Sequence, residues 1–500
     1  MALFDDFKLH LTGHVFVDVG IFVCMAHANK RRVEDITEED LLNLANFLKE
    51  LYCYDKKVQL FLHVNTFFNT AFHTKGGGKK EKTQEQLDKE LKIKLEYAQN
   101  ILFSFKKDVI AHNGDEQCVF FPELKAQLDA DRKHIPLING AGTINFHANG
   151  RAGIPISGLA SLFIHAMPLG CFRVKGCLLA FQQYGSQHLP FSYILAKDAY
   201  TANTLKVGDS EQLQLPNYGE HAKTRYIERI IDAKNRALSR SEGLLNNLVG
   251  YYFTNTGTYP MIQILKLRDI VAEFVNTVEQ DYSAPWKQAI QRNWIKVTPK
   301  SKEKNNTIKT TVKQKRKKRG TVRDKEAQNR LYETLFDLPN HAHRFLLYLR
   351  KARNWDLISI FLERILGMEQ DRIDGYRKLG DELAEYVIGY NKNPKKFYQE
   401  FRNANYEQLR VILLDTAWTV YKSGKGEIPF TFDDFVIAFM SSGGYKLGRD
   451  LICFRLLEKF HAYGIDMSQE FEDEDGDYYE LVTIADETEQ QTEEEQEEEE

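Results

Sequence analysis

Thirty consecutive residues, 296–325, contain 13 basic and 2 acidic side chains and almost nothing apolar. A segment of that composition cannot bury a core, so it divides the chain into pieces that must fold on either side of it. It is expected to be a mobile linker or loop. A second such segment lies at 466–500, where 18 acidic and no basic side chains predict a disordered tail. The formal net charge of −4 hides this split, because residues 1–465 carry +14 and the cationic segment alone carries +11. The regions flanking it are nearly balanced, at +2 for 1–295 and +1 for 326–465. With 500 residues, 43% of them apolar and 12% aromatic, the chain has enough for at least two folded units.

Residues 1–295 read as a mixed α/β domain. "HVFVDVGIFVCMA" (14–26) has the β-branched and aromatic content of a buried strand, while its length suits a helix equally. Thr37 with Asp40 three residues on resembles a capping box, and Leu41, Leu44, Ala45 and Leu48 form a helical stripe behind it. "KVQLFLHV" (57–64) is a strand candidate, and 83–107 a long amphipathic helix. "CFRVKGCLLAFQQY" (171–184) alternates as a hairpin turning at Lys175-Gly176. "RYIERIIDAKNRALSR" (225–240) reads as a helix with a basic face. Residues 326–465 turn helical. Asn354 caps a helix that Gly367 closes, Asn393-Pro394 opens another, Thr431 and Asp434 start a third, and "LGRDLICFRLLEKFHAYG" (447–464) is a fourth. Short loops between such stripes imply an antiparallel helical bundle, and the fold class expected is α+β.

Catalytic patterns are thin. H-E-x-x-H, G-x-S-x-G and G-x-x-x-x-G-K-[ST] are all missing, and "GAGTIN" (140–145) has no third glycine to complete a dinucleotide fingerprint. The histidines lack metal-ligand spacing, so no metal and no cofactor is expected. Asp18, amid apolar residues, is either a catalytic carboxylate working with His14 or His27, or a buried acid satisfied by local donors. Six dispersed cysteines without C-x-x-C spacing fit a reducing cytoplasm, and no signal peptide or membrane span is evident. The cationic run Lys313, Lys315, Arg316, Lys317, Lys318 and Arg319 suits nucleic-acid phosphates, with the acidic tail as a competing internal partner. Lys75, Lys79 and Lys80 form a smaller basic site. A nucleic-acid-acting enzyme and a scaffold autoinhibited by its acidic tail are the alternatives.

Blocks in one order resemble the large, signature subunit of type I-B CRISPR Cascade interference complexes, a family named for two C-x-x-C pairs. They are "TGHVFVDVGIFV" (12–23), "NTAFH" (69–73), "IPLINGAGTINFHANGRAGIPISGLASLFIHAMPLG" (135–170) and "YYFTNTGTYPMIQILKLRDIVAEFV" (251–275), followed by "LGDELAEYV" and "GRDLICFRLLEKFH" in the helical part. The resemblance covers nearly everything from 11 to 464. In relatives with both pairs, four thiolates suit a structural zinc. The corresponding positions here are Cys118, Phe121, Ser157 and Ala160, so the knuckle region (about 112–165) is degenerate and must stand on packing, with Phe120 and Phe121 filling the space. The resemblance implies a non-enzymatic, RNA-guided role: reading a protospacer-adjacent motif in double-stranded DNA, promoting R-loop formation and supporting the displaced strand. It implies guide RNA, the Cascade backbone and small subunits as partners. A helicase-nuclease, or transposition machinery, would be the recruited effector. Asn139, Gly140, Asn145, Asn149 and Arg151 are the motif-reading candidates, with ordinary turn formation as the alternative. The helical region 326–465 resembles the family's small subunit.

Overall fold

The computed structural model describes residues 6–65, 83–138, 153–185, 191–205, 214–219, 221–236, 247–255, 260–296, 327–390, 392–424 and 444–465, with a few single positions between 431 and 467. The protein is mixed α+β and mostly helical, with one five-stranded mixed sheet and a helical C-terminal region. It divides into two compact units. The first comprises 1–273 and 294–336, the second 274–293 and 337–500. Residues 274–293 therefore go with the helices, and 327–336 with the mixed unit.

The first unit is built around α1 (Val15–His27), which is a helix, and the strand reading of 14–26 is corrected. Eleven consecutive residues, Val15 to Met25, are buried. A helix enclosed on every side has no polar face, so periodicity could not distinguish it from a buried strand. The helix α2 (Glu38–Tyr54) begins with the expected capping box: Thr37 Oγ1 accepts from Asp40 N (3.2 Å), and Asp40 Oδ2 accepts from Thr37 N (2.9 Å). "KVQLFLHV" is also helical, within α3 (Lys56–Asn65), against the strand expected there. Asp55 Oδ1 accepts from Lys57 N and Val58 N and starts it, and the apolar Val58, Phe61 and Leu62 are buried, as is Gln59. Burial at i, i+3 and i+4 overrides the apparent alternation. Thr83 then caps α4 (Gln84–Leu102), and 104–107 follow as a 3₁₀ turn.

Strands β1 (Leu128–Ala130) and β2 (Ile154–Ile156) pair antiparallel, just ahead of α5 (Gly158–Ala166). Helices α1 and α5 cross with their backbones touching: a Cβ on Gly20 would lie 1.9 Å from Phe163 O. The expected hairpin forms between β3 (Phe172–Val174) and β4 (Cys177–Gln183). Its two turn residues are left-handed, Lys175 at φ 47° and Gly176 at φ 84°, as a two-residue turn of matching twist requires. Then come α6 (Phe191–Thr204), β5 (Asn217–Tyr218), α7 (Ala222–Arg236), β6 (Leu248–Thr254) and β7 (Met261–Leu265). The sheet order is β5-β3-β4-β6-β7, with β3–β5 parallel and the other pairs antiparallel.

Of the basic face expected on α7, Arg225 is not displayed. Arg225 is buried with its guanidinium 3.7 Å from the centre of the Tyr218 ring, and Glu228 lies 3.6 Å from it. These charges serve packing and are not displayed. The division between the units falls inside α8 (Asp269–Asp281). After α9 (Ser283–Arg292), β8 (Trp294–Lys296) pairs antiparallel with β9 (Ala327–Asn329), which runs into α10 (Arg330–Thr334).

The second unit contains α9, α11 (Ala342–Leu349), α12 (Trp355–Arg364), α13 (Gln370–Gly389), α14 (Pro394–Asn403), α15 (Tyr406–Ser423) and α16 (Gly444–Ala462). Asn354 caps α12 and Asn393 caps α14, with Pro394 at its first turn. The helix expected from Thr431 falls mostly outside the described residues. Arg455 on α16 is held by Asp381 (Nη2 to Oδ2, 2.9 Å) and by Glu458, beside Gly380, where a Cβ would meet Arg455 Cβ at 2.6 Å. Among the described residues no helix is long and apolar enough to cross a membrane.

Candidate nucleic-acid interface

Cys118–Phe121 and Ser157–Ala160, the two places where a zinc knuckle's remnants are expected, lie 36 positions apart in sequence and meet in the first unit. Cys118 Sγ accepts from Phe121 N at 3.4 Å, and the turn closes through Leu124 N to Phe121 O (2.9 Å) and Cys118 N to Leu124 O (2.8 Å). Val119 N donates to Pro155 O (3.0 Å) and Gln127 N to Ile156 O (2.8 Å), which ties this turn to β2. At the second remnant Ser157 caps α5, its Oγ accepting from Ala160 N at 3.2 Å. All four positions, Cys118, Phe121, Ser157 and Ala160, are buried. Each remnant thus keeps a side-chain acceptor on the amide of its fourth residue, as a thiolate would provide.

Asp108 completes the second remnant and has no signal in the sequence, since it sits 50 residues from the amides it serves. Its two carboxyl oxygens accept from Gly158 N and Leu159 N, each at 2.8 Å. Together with Ser157 it satisfies the first three amides of α5, at the end of the helix where negative charge is favoured. Burial pushes the Asp108 carboxyl up to about 7, against the pull of these two donors.

Aromatic packing fills the rest. The Phe121 ring stands edge-on to Phe7 (5.8 Å between centroids) and 6.4 Å from Phe163, while Phe120 lies 4.7 Å from His14. Among the described residues no group of three or more His, Cys, Asp or Glu side chains is placed to hold a metal ion. If packing supports the knuckle, Phe121→Ala should lower unfolding stability by about 3 kcal/mol, the usual cost of emptying a phenylalanine site. Urea unfolding measures this, and a change below about 1 kcal/mol would contradict it.

Of the acid-base pairs weighed for catalysis, Asp18 with His27 is not assembled. Asp18 is fully buried and its carboxylate receives four donors: Thr12 N (2.7 Å), Thr12 Oγ1 (2.8 Å), Gly13 N (3.0 Å) and Gln182 Nε2 (2.8 Å). His27 is nine positions further along α1, a rise of about 13 Å. Its Nδ1 is 2.9 Å from Tyr200 Oη and its ring stacks on Phe47. His14 is nearer to Asp18, but burial holds its pKa below the usual histidine value, against the acid's pull.

Of the residues expected to contact nucleic acid, Asn139, Gly140, Asn145, Asn149 and Arg151, then Lys75, Lys79 and Lys80, and finally Lys313, Lys315, Arg316, Lys317, Lys318 and Arg319 lie outside the described residues. Their anchor points are described. In sequence the segment of Asn139 to Arg151 falls between β1 and β2, where Ala130 faces Ile154. The cationic segment leaves from Lys296 and returns at Ala327, which face each other across β8–β9. Both of these anchors belong to the first unit. The stem is fixed: Asn329 N donates to Thr224 Oγ1 (3.2 Å), and Thr224 Oγ1 donates to Glu333 Oε1 (2.7 Å). The lysines at 75–80 fall between α3 and α4.

No family model, no curated protein and no solved structure matches this chain.

Proposed function

We propose that this protein is the large subunit of a type I-B CRISPR-guided DNA surveillance complex. In this role it reads a protospacer-adjacent motif in duplex DNA, promotes R-loop formation, supports the displaced strand and recruits the effector. The observation that carries the reading is the pair of stems in the first unit. One, β1–β2, flanks in sequence the segment of Asn139 to Arg151, and the other, β8–β9, flanks the cationic segment. A loop carrying +11 and pinned at both ends is a suitable cradle for a polyanion, and Asn, Gly and Arg side by side suit the edges of base pairs. Base pairing with guide RNA would read the target, leaving only a short duplex element to protein. On this reading the segment at about 112–165 is a zinc ribbon that has exchanged its metal for Phe121, Ser157 and Asp108. The C-terminal helices would form an antiparallel bundle resembling the family's small subunit.

The reading is tested with guide-loaded complexes assembled with and without this chain, presented with target duplexes carrying a randomised flanking motif. With the chain, capture should select a subset of motifs. Without it, duplex capture should fall at least about a hundredfold while a complementary single strand still binds, because motif recognition is needed only to open a duplex. Equal duplex capture by both complexes would sink the reading, as would turnover of DNA by the purified chain alone.

A further inference from the structure

Helix α15 (Tyr406–Ser423) carries two apolar faces. Leu409, Leu413, Thr416 and Val420 are buried and seat it in the second unit. On the other side Val411, Leu414, Trp418 and Tyr421 stand 56%, 63%, 57% and 66% exposed. Their spacing of three, four and three residues is the a/d seam of a coiled coil, and it puts the buried set at positions c and f. An ordinary surface helix has one apolar stripe and a charged or polar face opposite it. A second stripe left to solvent, and ending in tryptophan and tyrosine, has the composition of an interface centre. That end is held together by its own contacts. The Trp418 and Tyr421 rings stack at 5.8 Å and 15°, and Lys422 Nζ lies 4.9 Å from the centre of the Trp418 ring.

The charges beside the seam select what fits it. Arg410 stands at position g and Asp415, five residues later, at position e, and both are exposed. In a parallel pair of coiled-coil helices a g residue meets the e residue five positions later on the other helix. Two copies of α15 side by side therefore join Arg410 to the partner's Asp415 twice. An antiparallel pair matches e with e, and centring the seam on itself would set Asp415 against the partner's Asp415. Valine at a and leucine at d, as at Val411 and Leu414, also favour two strands over three or four.

We propose that α15 is the contact of a parallel, two-fold dimer of this chain, in which Val411, Leu414, Trp418 and Tyr421 pack against the same residues of a second copy. The dimer uses the second unit alone and does not depend on the function proposed above.

Sedimentation equilibrium of the full chain tests it. The seam is under two heptads long, so association should be weak, half complete at about 10–100 µM chain. Trp418→Ala should weaken it at least about thirtyfold, as loss of a central aromatic anchor does, and leave thermal unfolding of the dilute monomer where it was. Arg410→Asp and Asp415→Arg should each weaken it about fivefold by setting like charges together. Their combination should restore the native affinity, since it rebuilds both pairs with the signs exchanged. A chain that stays monomeric to about tenfold above that range would overturn the proposal, as would a dimer indifferent to Trp418→Ala. Charge variants that weaken the dimer without recovery in the combination would overturn the parallel arrangement. A monomeric chain whose tryptophan emission is quenched by single-stranded DNA, with the quenching lost in Trp418→Phe, would give the aromatic pair to stacked bases and overturn the dimer.

Discussion

Asp18→Ala is expected to cost about 4 kcal/mol of unfolding stability while leaving nucleic-acid affinity of the still-folded protein unchanged. The buried carboxylate gathers two backbone amides, a threonine hydroxyl and the Gln182 amide. Removing it strands donors from three residues, and each buried donor left without a partner costs about 1–3 kcal/mol. The damage also spreads, because Asp18 joins the entry of α1 at Thr12 and Gly13 to β4 at Gln182, so the first helix loses its register against the sheet. Asp18→Asn should recover less than half of the loss. Its shape fits, but one side of the asparagine is itself a donor and would face Gly13 N and Gln182 Nε2. Urea unfolding of the three proteins, followed by DNA binding at a temperature where all remain folded, separates the readings. A variant Asp18→Asn with native stability and native binding, yet with a lost cleavage activity of the wild type, would restore the carboxylate as a catalytic group.

The same helix shows where sequence and structure part. In α1, four valines, an isoleucine and two phenylalanines state a strand preference, and burial on every side erases the stripe that would have contradicted it. What makes it a helix is tertiary: the close approach that Gly20 permits to Phe163, and the anchoring of Asp18. Helix α3 is hidden for a different reason, since Lys57 to Val64 alternate by chance, while the cap at Asp55 lies just outside that run. Where local chemistry alone sets the structure, the sequence is legible. The left-handed pair Lys175-Gly176 and the caps at Thr37, Asn354 and Asn393 are all decided within four residues. Asp108 is not legible, because only folding brings it to the amides of Gly158 and Leu159.

Exchanging the six cations of Lys313 to Arg319 for glutamine should lower affinity for single-stranded DNA about a thousandfold near 0.1 M salt, and leave thermal unfolding where it was. Affinity of this kind arises largely from counterions released as phosphates are neutralised, so it falls with salt in proportion to the number of phosphates engaged. For a single strand each neutralised phosphate contributes about 0.7 to the slope of log K against log salt, and giving up six of them should flatten that slope by about 4. Stability should not follow, because among the described residues the anchors on either side of the segment are β8 against β9, Trp294 against Tyr332, and Asn329 on Thr224, none of which uses the six cations. The combination is diagnostic. A flattened slope with an unmoved transition places the phosphates on the loop. A weakened affinity with the original slope would mean that the loop acts through the rest of the protein. An unchanged affinity would leave the cations to neutralise the 18 acids of the tail, and the tail-deleted chain would then have to show no gain in DNA binding when the loop is restored. Charge and anchoring favour the first outcome: a loop fixed at both ends loses less freedom on binding than a free cationic tail of equal charge, and its affinity per phosphate should be correspondingly higher.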